Sequence, residues 1–323
     1  MNRYARQAAL LGAQGQARLA SAHVLVAGAG GLAAPVLQYL VGAGVGRITL
    51  MDGDRVAPSN LHRQTLFRMA DLGRPKPEAA AAQMAALNPE CSIAPVAAPL
   101  TPRNAARQVA AADLVLDCAD SFAASYILSD TCLAAGTPFI SASVVGTSGY
   151  CGGFCGGAPS LRAVFPDLPD RAGNCAEDGV LGPTVGILGA LQAQMALAVL
   201  AGLAPSPLGQ LVSFEALGHR FGGFRFDGAP EPAGGFGFIA PEDITPDDWL
   251  ADLRGEGEPG PALPRAARHA LPEFDTLRPA APRAVLACRS ALRAWQAGAR
   301  LAAHWPGKIA LIALGDDQEE TTP

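Results

Sequence analysis

A set of cations and carboxylates follows a glycine-rich turn in the first 120 residues of the chain. Arg63 and Lys76 could lie on the phosphates of a nucleotide, and Asp120 could hold Mg²⁺. Such a set suits phosphoanhydride chemistry better than hydride transfer, which needs no clustered cations. On spacing alone a second interpretation stays open, in which Arg63 and Lys76 are solvated surface residues and Asp120 is a helix cap.

The glycine-rich turn reads Gly28-Ala29-Gly30-Gly31-Leu32-Ala33 and fits the fingerprint G-x-G-x-x-[G/A]. Glycines there allow a tight turn and a close approach of the backbone to phosphate, which the N–H groups of the following helix would bind. Asp52 comes about 20 residues later, where a carboxylate can bind ribose hydroxyls. Alone, the fingerprint predicts only a nucleotide, because an NAD-dependent dehydrogenase would carry the same pattern.

The elements around this turn alternate between strands and helices. Short apolar runs predict strands at residues 23–27, 47–51, 91–96, 114–117 and 138–143. Helical patterns lie between them, at residues 32–44, 75–87, 104–112 and 125–135. This alternation predicts an α/β fold, a Rossmann-like doubly wound sheet that is mostly parallel. The glycine-rich residues 146–157 predict a bend or an irregular antiparallel extension rather than a regular strand.

One apolar stretch, residues 185–203, is long enough to span a membrane, and the chain has no charged residue between Asp178 and Glu215. However, Gln192 and Gln194 lie at its centre, Ala and Gly outnumber the large apolar residues, and no basic flank follows. We therefore expect a helix buried in a soluble core and no membrane partner.

Composition narrows the class of protein further. The formal net charge is −5 over 323 residues, with no block of Lys or Arg, which argues against nucleic acid as the main partner. Seven cysteines, an odd number spread along the chain, do not suggest a disulfide framework. This cysteine usage favours a reducing compartment, and no signal peptide is apparent at the N-terminus, so we expect a cytoplasmic protein.

Several motifs resemble, in the same order, those of the MoeB/ThiF/HesA family, the prokaryotic relatives of ubiquitin-activating enzymes. The likeness covers about residues 3–226. The motifs are Arg3-Tyr4-x-Arg6-Gln7, the Gly28 fingerprint, Asp52-x-Asp54, Ser59-Asn60-Leu61-His62-Arg63-Gln64, Gly73-Arg74-Pro75-Lys76, Asp117-x-x-Asp120 and Cys175-Ala176-Glu177-x-Gly179-Val180.

The resemblance implies an adenylyltransferase that acts on the C-terminal glycine carboxylate of a small ubiquitin-like sulfur-carrier protein of the MoaD/ThiS type, ending in Gly-Gly. It implies a homodimer in which Arg6 is an arginine finger supplied by the partner subunit. Asp120 would hold the Mg²⁺ that accompanies ATP. The implied ATP-binding residues are Gly28, Gly30, Gly31, Asp52, Asp54, Ser59, Asn60, Leu61, His62, Arg63, Lys76, Asp120 and Ser121.

The implied chemistry is attack of the carrier carboxylate on the α-phosphorus of ATP, giving an acyl adenylate and pyrophosphate. No general base is needed, because the nucleophile is already an anion. Catalysis then consists of positioning and charge stabilisation, shared by Arg6, Arg63, Lys76 and Mg²⁺.

Cys175 matches a family cysteine on a flexible loop, which can accept the activated acyl group as a thioester or take part in sulfur transfer. Its polar surroundings suit a reactive thiol, although an incidental exposed thiol is the alternative. Cys118 and Cys132 occur in apolar patterns that predict core positions.

Many family members hold a structural Zn²⁺ with two C-x-x-C pairs. Here Ser160 and Ala163 occupy the positions of the first pair, and no cysteine occurs between Cys175 and Cys288 to form the second. Cys151 and Cys155 could be a relic or a replacement half-site. Two thiolates alone are weak evidence for zinc, so we expect none.

Beyond residues 1–226 we expect a linker at 227–240 and a small α/β unit at 241–323, with a helix at 241–253, strands at 284–286 and 308–314, and a helix at 294–304. The loop from Cys288 to Arg293, with Arg289 beside the cysteine, resembles the persulfide-binding loop of a rhodanese domain. The segment that normally holds an Asp-Val-Arg strand reads as a shortened, proline-rich stretch at 259–283. A truncated rhodanese-like domain is therefore expected, either a working sulfurtransferase or a docking remnant.

Three functions are compatible with these features. The leading one is the adenylating enzyme, with sulfur transfer from a persulfide donor such as a cysteine desulfurase. The alternative is a degenerate, non-catalytic scaffold that binds the carrier without activating it, and a dehydrogenase is a distant third. Molybdopterin, thiamine, tRNA-thiolation and siderophore-like pathways all stay open.

Overall fold

The computed structural model describes residues 3–168, 179–258 and 260–315. Eight strands form a first sheet in the order β3-β2-β1-β4-β5-β6-β7-β8. The parallel strands are β1 (His23–Ala27), β2 (Arg47–Met51), β3 (Ser92–Val96), β4 (Leu114–Asp117) and β5 (Pro138–Val145). The sheet continues with antiparallel β6 (Ser148–Cys155), β7 (Gln210–Glu215) and β8 (Arg220–Arg225). The predicted mostly parallel sheet with an antiparallel extension is confirmed.

Helices cover both faces of this sheet. They are α1 (Ala5–Ser21), α2 (Ala33–Ala43), α3 (Lys76–Leu87), α4 (Pro102–Ala110), α5 (Phe122–Ala135), α6 (Leu161–Val164) and α7 (Gly182–Ala201). Within β1, Val24 and Val26 pack into the core shared with α2 and α7, whereas Leu25 and Ala27 pack into the core shared with α5. Because both faces of the parallel strands are covered, β1 is apolar from Val24 to Ala27, and no alternation appears in that run.

The uncharged helix α7 is long and apolar enough to cross a membrane by length and composition, with a mean hydropathy of 1.7. It packs against α1, α2 and strands β4 to β6. Leu188 and Ala196 on α7 are fully buried in the core of the first sheet. The expected core helix is therefore present, and packing on the sheet accounts for its hydropathy.

Strand β6 corrects the expectation of an irregular segment at 146–157. It pairs with β5 over eight residues in regular antiparallel register. Its glycines mark close approaches of other chain segments. A Cβ atom on Gly149 would lie 2.4 Å from Cδ1 of Leu188, and one on Gly153 would lie 2.5 Å from the carbonyl oxygen of Pro207. The strand is rich in glycine because neighbouring groups leave no room for side chains.

A second, fully parallel sheet has the order β11-β10-β12-β13-β9. Its strands are β9 (Gly237–Phe238), β10 (Trp249–Asp252), β11 (Ala267–Arg268), β12 (Arg283–Cys288) and β13 (Lys308–Ala313), and helix α8 (Leu292–Ala302) packs against it. Strand β9 lies within residues 227–240, the stretch interpreted as a linker.

The helix expected at residues 241–253 is wrong. Pro241–Asp243 forms a single 3-10 turn, and β10 follows. Leu250 and Ala251 are buried between β11 and β12. A short apolar run reads the same in a buried parallel strand and in a helix, so periodicity alone misassigned it.

The end of β10 carries an Asp-x-Arg sequence, Asp252-Leu253-Arg254, ahead of the proline-rich stretch. Arg254 Nη2 lies 2.8 Å from Asp252 Oδ2, and both side chains are buried. Arg254 also donates to the carbonyl oxygen of Pro261 at 3.0 Å. This ion pair fixes the start of the loop that follows β10.

Candidate active site

The glycine turn after β1 lies tightly against the end of β4. Gly28 has a φ of +94°, and its N–H donates to the carbonyl oxygen of Met51 at 2.7 Å. A Cβ atom on Gly28 would lie 2.5 Å from the carbonyl oxygen of Cys118. Both demands exclude any residue with a side chain. The first glycine of the fingerprint thus lets the ends of β1, β2 and β4 meet.

The later glycines of the turn approach a second loop. A Cβ atom on Gly31 would lie 3.3 Å from the carbonyl oxygen of Arg63 and 2.7 Å from Cγ1 of Val185 on α7. One on Gly30 would lie 3.6 Å from Nε2 of Gln64. The fingerprint and the Ser59–Gln64 motif, which are separate in sequence, are therefore adjacent in the structure.

Hydrogen bonds within the second loop fix its shape. Oδ1 of Asn60 accepts the N–H of Ala57 at 3.1 Å, and the carbonyl oxygen of Asn60 accepts the N–H of Arg63 at 3.1 Å. Nη1 of Arg63 donates to the carbonyl oxygen of Ser59 at 3.1 Å and lies 2.8 Å from Nε2 of His62. The Arg63 guanidinium therefore lies beside its own loop.

Leu61 and Gln64 anchor this loop from below. Leu61 packs against the core of the first sheet, and Gln64 is only 4% exposed. Oε1 of Gln64 has no hydrogen-bond partner among the described residues. Gln64 belongs to the Ser59–Gln64 motif, but the sequence alone assigned it no role. Its importance follows from the burial of a polar side chain, which only the fold shows.

The carboxylate of Asp52 connects the glycine turn to the end of β2. Its Oδ2 accepts the N–H of Ala29 at 2.7 Å, and its Oδ1 accepts the N–H of Asp54 at 2.7 Å. Burial raises the pKa of the Asp52 carboxyl, while the nearby Lys76 charge and these two amides oppose the rise. Each oxygen keeps a lone pair that a ribose hydroxyl could use.

Lys76, the first residue of α3, is buried and paired with Asp54. Its Nζ lies 2.6 Å from Asp54 Oδ2, and its N–H donates to the carbonyl oxygen of Asp54 at 2.9 Å. The Lys76 side chain is 7% exposed, against 68% for that of Asp54. The interpretation of Lys76 as a solvated surface residue is therefore wrong, since the fold directs its charge inward toward Asp52.

Asp120 is exposed in the loop between β4 and α5. The N-cap residue of α5 is Ser121, whose side chain makes no capping hydrogen bond. The alternative of Asp120 as a helix cap is therefore wrong. Because β4 neighbours β1 in the sheet, Asp120 leaves the same edge as the glycine turn.

A buried carboxyl group lies beneath this loop. Asp117 accepts the N–H of Ala119 at 3.2 Å and the hydroxyl of Ser141 at 2.9 Å. Burial raises the pKa of Asp117 to about 6, although hydrogen bonds from Ser125, Ser141 and Ala119 oppose the rise. Asp117 therefore shapes the loop without reaching its surface.

Arg6 lies away from this edge within its own chain. Next to it, the hydroxyl of Tyr4 donates to Glu90 Oε2 at 2.7 Å, and Nε2 of Gln7 donates to the carbonyl oxygen of Ala43 at 2.9 Å. Glu90 and Ala43 come just before β3 and β2, at the amino ends of the parallel strands. Helix α2, of 11 residues and so about 16 Å long, separates these ends from the glycine turn.

Cys288 ends β12 and begins the loop that resembles a persulfide-binding loop. It is 1% exposed. Burial raises the pKa of its thiol, and the N–H groups of Ala294, Arg293 and Ala291, with the Arg293 charge, oppose the rise. Arg293 also pairs with Glu258 Oε2 at 2.6 Å. The amides aimed at the sulfur provide the cradle that the sequence predicted for an anion.

An open groove of about 700 Å³ lies at the same edge of the second sheet. Three of the strands end there, and the groove is bordered by charged residues from the loops that follow them. Its lining includes Arg254, Glu256, Arg268, His269 and Arg293.

The remaining cysteines divide between the core and residues that the structure does not describe. Cys118 and Cys132 are buried, as predicted. Cys175 lies outside the described residues. Cys151 and Cys155 belong to different core clusters, and their thiols contact Sδ of Met195 and the carbonyl oxygen of Ser129, each at 3.6 Å. These two cysteines do not form a half-site.

Ser160, at a zinc-ligand position of the family pattern, makes hydrogen bonds of its own. Its N–H donates to Glu231 Oε1 at 2.7 Å, and its hydroxyl donates to Glu231 Oε2 at 2.5 Å. Among the described residues, no group of three or more His, Cys, Asp or Glu side chains could hold a metal ion. Hydrogen bonds thus join the segment where the first cysteine pair would lie to the residues that follow β8.

Comparisons with known proteins agree with this geometry. The chain is 46% identical over 220 residues to the adenylyltransferase and sulfurtransferase MOCS3 of Sus scrofa, covering 67% of this chain and 48% of that protein. It is 42% identical over 206 residues to the adenylyltransferase and sulfurtransferase UBA4 of Yarrowia lipolytica, covering 62% of this chain and 52% of that protein. The chain spans about half the length of these curated relatives.

Among solved structures, E. coli MccB superposes with a TM-score of 0.63 at 23% identity, covering 70% of each chain. The same protein solved with ATP gives a TM-score of 0.61 at 22% identity, covering 70% of this chain and 72% of that one. At such identities the likeness establishes the fold. A model of the ThiF family matches residues 4–232, which include the glycine turn, Asp52, Lys76 and Asp120. Since that match spans well over half of the chain, the chain belongs to the ThiF family.

Proposed function

We propose that this protein uses ATP to adenylate the C-terminal glycine carboxylate of a small ubiquitin-like sulfur carrier. The observation that carries the proposal is the buried Lys76 side chain, which pairs with Asp54 beside the Asp52-bound glycine turn. Cations placed at a nucleotide's phosphates suit phosphoanhydride chemistry better than hydride transfer. The names of the curated relatives, adenylyltransferase and sulfurtransferase, support the same reaction.

In the proposed reaction, a carboxylate oxygen of the carrier forms a bond to the α-phosphorus of ATP. The bond between that phosphorus and the bridging oxygen to the β-phosphate breaks, and pyrophosphate leaves with the electron pair. The products are an acyl adenylate and pyrophosphate, with no proton transferred. The glycine turn binds phosphate through main-chain N–H groups, Asp52 binds the ribose, and Lys76 and Arg63 stabilise charge on the phosphates.

Mg²⁺ fits the residues at this edge. Mg²⁺ usually takes one or two carboxylates and keeps its other positions for water and substrate phosphates. Asp120 offers an exposed carboxylate at the nucleotide edge, and Asp54 lies across the turn with a side chain that is 68% exposed. The ion would supply neutralisation of phosphate charge, and Asp120 would hold it.

The position of Arg6 supports a homodimer with shared sites. Arg6 lies at the amino ends of the strands, so it cannot reach the nucleotide turn of its own subunit without unfolding α1. Leu10, on the next turn of α1, is 81% exposed, and Ile187 on α7 is also exposed. Burial of this apolar surface in a dimer would bring Arg6 of one subunit to the site of the other.

A second step, transfer of sulfur, is proposed for the C-terminal unit. The terminal sulfur of a persulfide on Cys288 attacks the acyl carbon, and AMP leaves, which gives an acyl disulfide. A second thiol, of Cys175 or of a small-molecule thiol, then attacks Sγ of Cys288 and releases the carrier thiocarboxylate. That second thiol and Cys288 end as a disulfide, which an external dithiol must reduce. A cysteine desulfurase is the class of enzyme that would supply the persulfide.

The adenylation step is tested by carrier-dependent exchange of pyrophosphate into ATP. We expect Asp120→Ala to abolish exchange and to leave the fold intact, since its side chain is exposed. Asp275→Ala is the matched control, because Asp275 is exposed in the second unit, where it pairs with Arg300. Wild-type exchange by Asp120→Ala would overturn the assigned role of Asp120. Carrier binding by the wild-type protein without any exchange would instead support the non-catalytic scaffold.

A further inference from the structure

Arg162, on the short helix α6, is a buried arginine that contacts elements of both sheets. It is 9% exposed. Its Nε and Nη2 donate to the two carboxylate oxygens of Asp130 on α5, at 2.6 and 2.8 Å. Its Nη2 also donates to the carbonyl oxygen of Phe236, at 3.1 Å. A planar guanidinium suits this arrangement, because its donors point in fixed directions.

Aromatic rings surround the same guanidinium. Its carbon lies 4.7 Å from the ring centroid of Tyr126 on α5 and 5.6 Å from that of Trp295 on α8. Trp295 in turn contacts Phe236 edge-on at 5.2 Å between centroids. Arg162 therefore joins α5 of the first sheet, the segment before β9, and α8 of the second sheet in one contact region.

The segment that precedes β9 fits closely around this arginine. A Cβ atom on Gly235 would lie 2.9 Å from Nη1 of Arg162. Five residues earlier than Phe236, Glu231 is held by the two hydrogen bonds from Ser160. Two successive contacts thus fix the path of the chain between the two sheets.

Helix α5 also connects the nucleotide edge to the loop that follows Cys288. It begins directly after Asp120 and Ser121, and it carries Asp130 further along. Ala291, in the loop after Cys288, is fully buried in a small cluster with Ala123 and Ile127 of α5. The Cys288 loop therefore packs at the end of α5 that lies beside the nucleotide edge.

We propose that Arg162 is a positioning residue that holds the Cys288 loop against α5, at a fixed place relative to the adenylation site. The proposal rests on the proposed function, because the position of Cys288 matters only if Cys288 transfers sulfur to the acyl adenylate. The contacts of Arg162 are with Asp130 and Tyr126 of α5, Phe236 and Trp295, none of which is a residue assigned to the nucleotide site. Arg162 acts by fixing α8 and the segment before β9 on α5, which raises the effective concentration of Cys288 at the acyl adenylate.

The test compares two reactions of the full-length protein. Arg162→Met removes the positive charge and the paired hydrogen bonds to Asp130, but it keeps an unbranched side chain. Arg162→Lys keeps the positive charge without the planar guanidinium. Arg300→Met is the matched control, because Arg300 forms an exposed ion pair with Asp275 inside the second unit. We expect pyrophosphate exchange within twofold of wild type in all three variants. Thiocarboxylate formation should fall about tenfold or more in Arg162→Met, fall less in Arg162→Lys, and stay at the wild-type rate in Arg300→Met.

A second measurement does not depend on sulfur transfer. Phe236 lies in the segment that Arg162 holds, so chymotryptic cleavage after Phe236, identified by fragment mass, reports its release. We expect faster cleavage in Arg162→Met at a temperature well below its unfolding transition, and wild-type cleavage in Arg300→Met. If the wild-type protein transfers no sulfur, the sulfur-transfer part of the proposed function fails, while faster cleavage still supports positioning by Arg162.

Two outcomes overturn the proposal. One is unchanged cleavage together with unchanged thiocarboxylate formation in Arg162→Met. The other is a parallel loss of exchange, transfer and thermal stability, which indicates that Arg162 only contributes to folding.

Discussion

Gln192, in the middle of the uncharged helix α7, donates its amide nitrogen to the carbonyl oxygen of Asp117 at 2.7 Å and to that of Ile140 at 3.0 Å. Its amide oxygen accepts the thiol hydrogen of Cys118 at 3.3 Å. One fully buried side chain therefore joins the carboxyl end of β4 to Ile140 of the neighbouring strand β5, beneath the loop that carries Asp120.

We expect Gln192→Met to destabilise the protein and to weaken nucleotide binding. Methionine is close in size but removes two hydrogen bonds to buried carbonyl oxygens, and the loss of such bonds typically costs about 0.5–1.5 kcal/mol each in the free energy of unfolding. Urea unfolding and the KM for ATP in pyrophosphate exchange measure the two effects. Gln194→Met, on the exposed side of the same helix, should change neither quantity. Wild-type stability of Gln192→Met would show that these hydrogen bonds are dispensable.

The buried Asp117 carboxyl predicts a pH dependence of stability. Its pKa is about 6 in the folded protein, above its usual value near 4. The folded state therefore binds the proton more tightly, and the resulting stabilisation is complete below about pH 4 and is lost as the pH rises through about 6. Asp117→Asn lacks this ionisation, and its amide can still bond Ala119 and Ser141.

We expect the free energy of unfolding of Asp117→Asn, relative to wild type, to rise by on the order of 2 kcal/mol between about pH 4 and about pH 7. Urea unfolding of both proteins at several pH values measures the difference. A constant difference across that range would mean that Asp117 does not titrate there.

A dimer with shared sites predicts complementation between two inactive variants. Arg6→Ala and Arg63→Ala subunits should each be inactive as homodimers. After mixing at equal amounts and exchange of subunits, half of the dimers are mixed, and each mixed dimer has one site with both arginines. Pyrophosphate exchange should then recover to about a quarter of the wild-type rate. If Arg6 acted within its own chain, no whole site would form and no activity would return.

Adenylation and sulfur transfer should separate at the two cysteines. We expect Cys175→Ala and Cys288→Ala to keep pyrophosphate exchange within about twofold of wild type, since the step transfers no sulfur. Thiocarboxylate formation, followed by mass spectrometry, should be lost in at least one of them. If the double variant still thiolates the carrier from a protein persulfide donor, both cysteines are bystanders.

We also expect far less than one zinc ion per purified chain. At Ser160, where the family pattern places a ligand, hydrogen bonds to Glu231 join the two chain segments without metal. Elemental analysis measures the zinc content, and thermal unfolding with and without chelator should coincide. Stoichiometric zinc together with a loss of stability in chelator would contradict this expectation.

The sequence predicted those parts of the site that depend on local pattern. The glycine turn and Asp52 follow short apolar strands, and parallel strands place their carboxyl ends at one edge, so their proximity followed from topology. The burial of Lys76 and its pairing with Asp54 depend on how α3 meets the sheet. The spacing of residues along the chain does not determine how α3 packs on the sheet, so the sequence left open a surface position for Lys76.

Two errors in the fold have the same cause. Strand β6 and strand β10 are both shaped by what packs against them, and not by the preference of their own residues. Glycine weakens a strand in isolation, yet β6 needs it because Leu188 and the backbone near Pro207 come so close. The sequence of β10 is compatible with a helix, and only its burial between two parallel strands identifies it as a strand.

Arg162 shows the limit of sequence reasoning most directly. Its partners Asp130 and Phe236 lie 32 and 74 residues away in the chain. Nothing in the residues around Arg162 distinguishes it from an exposed arginine. Its structural role follows only from the fold, in which α5, α8 and the segment before β9 all contact it.

The two hydrogen bonds of the Asp52 carboxylate affect the thermodynamics of nucleotide binding. Ala29 and Asp54 already donate to Asp52, so the protein's own groups set the shape of the glycine turn. The turn is therefore preorganised, and ATP binding does not have to order a flexible loop. Such ordering typically costs about 0.5–1.5 kcal/mol for each immobilised side chain. Calorimetry of ATP binding should accordingly show a larger entropic penalty for Asp52→Ala, whose turn lacks these two bonds, than for the wild-type protein.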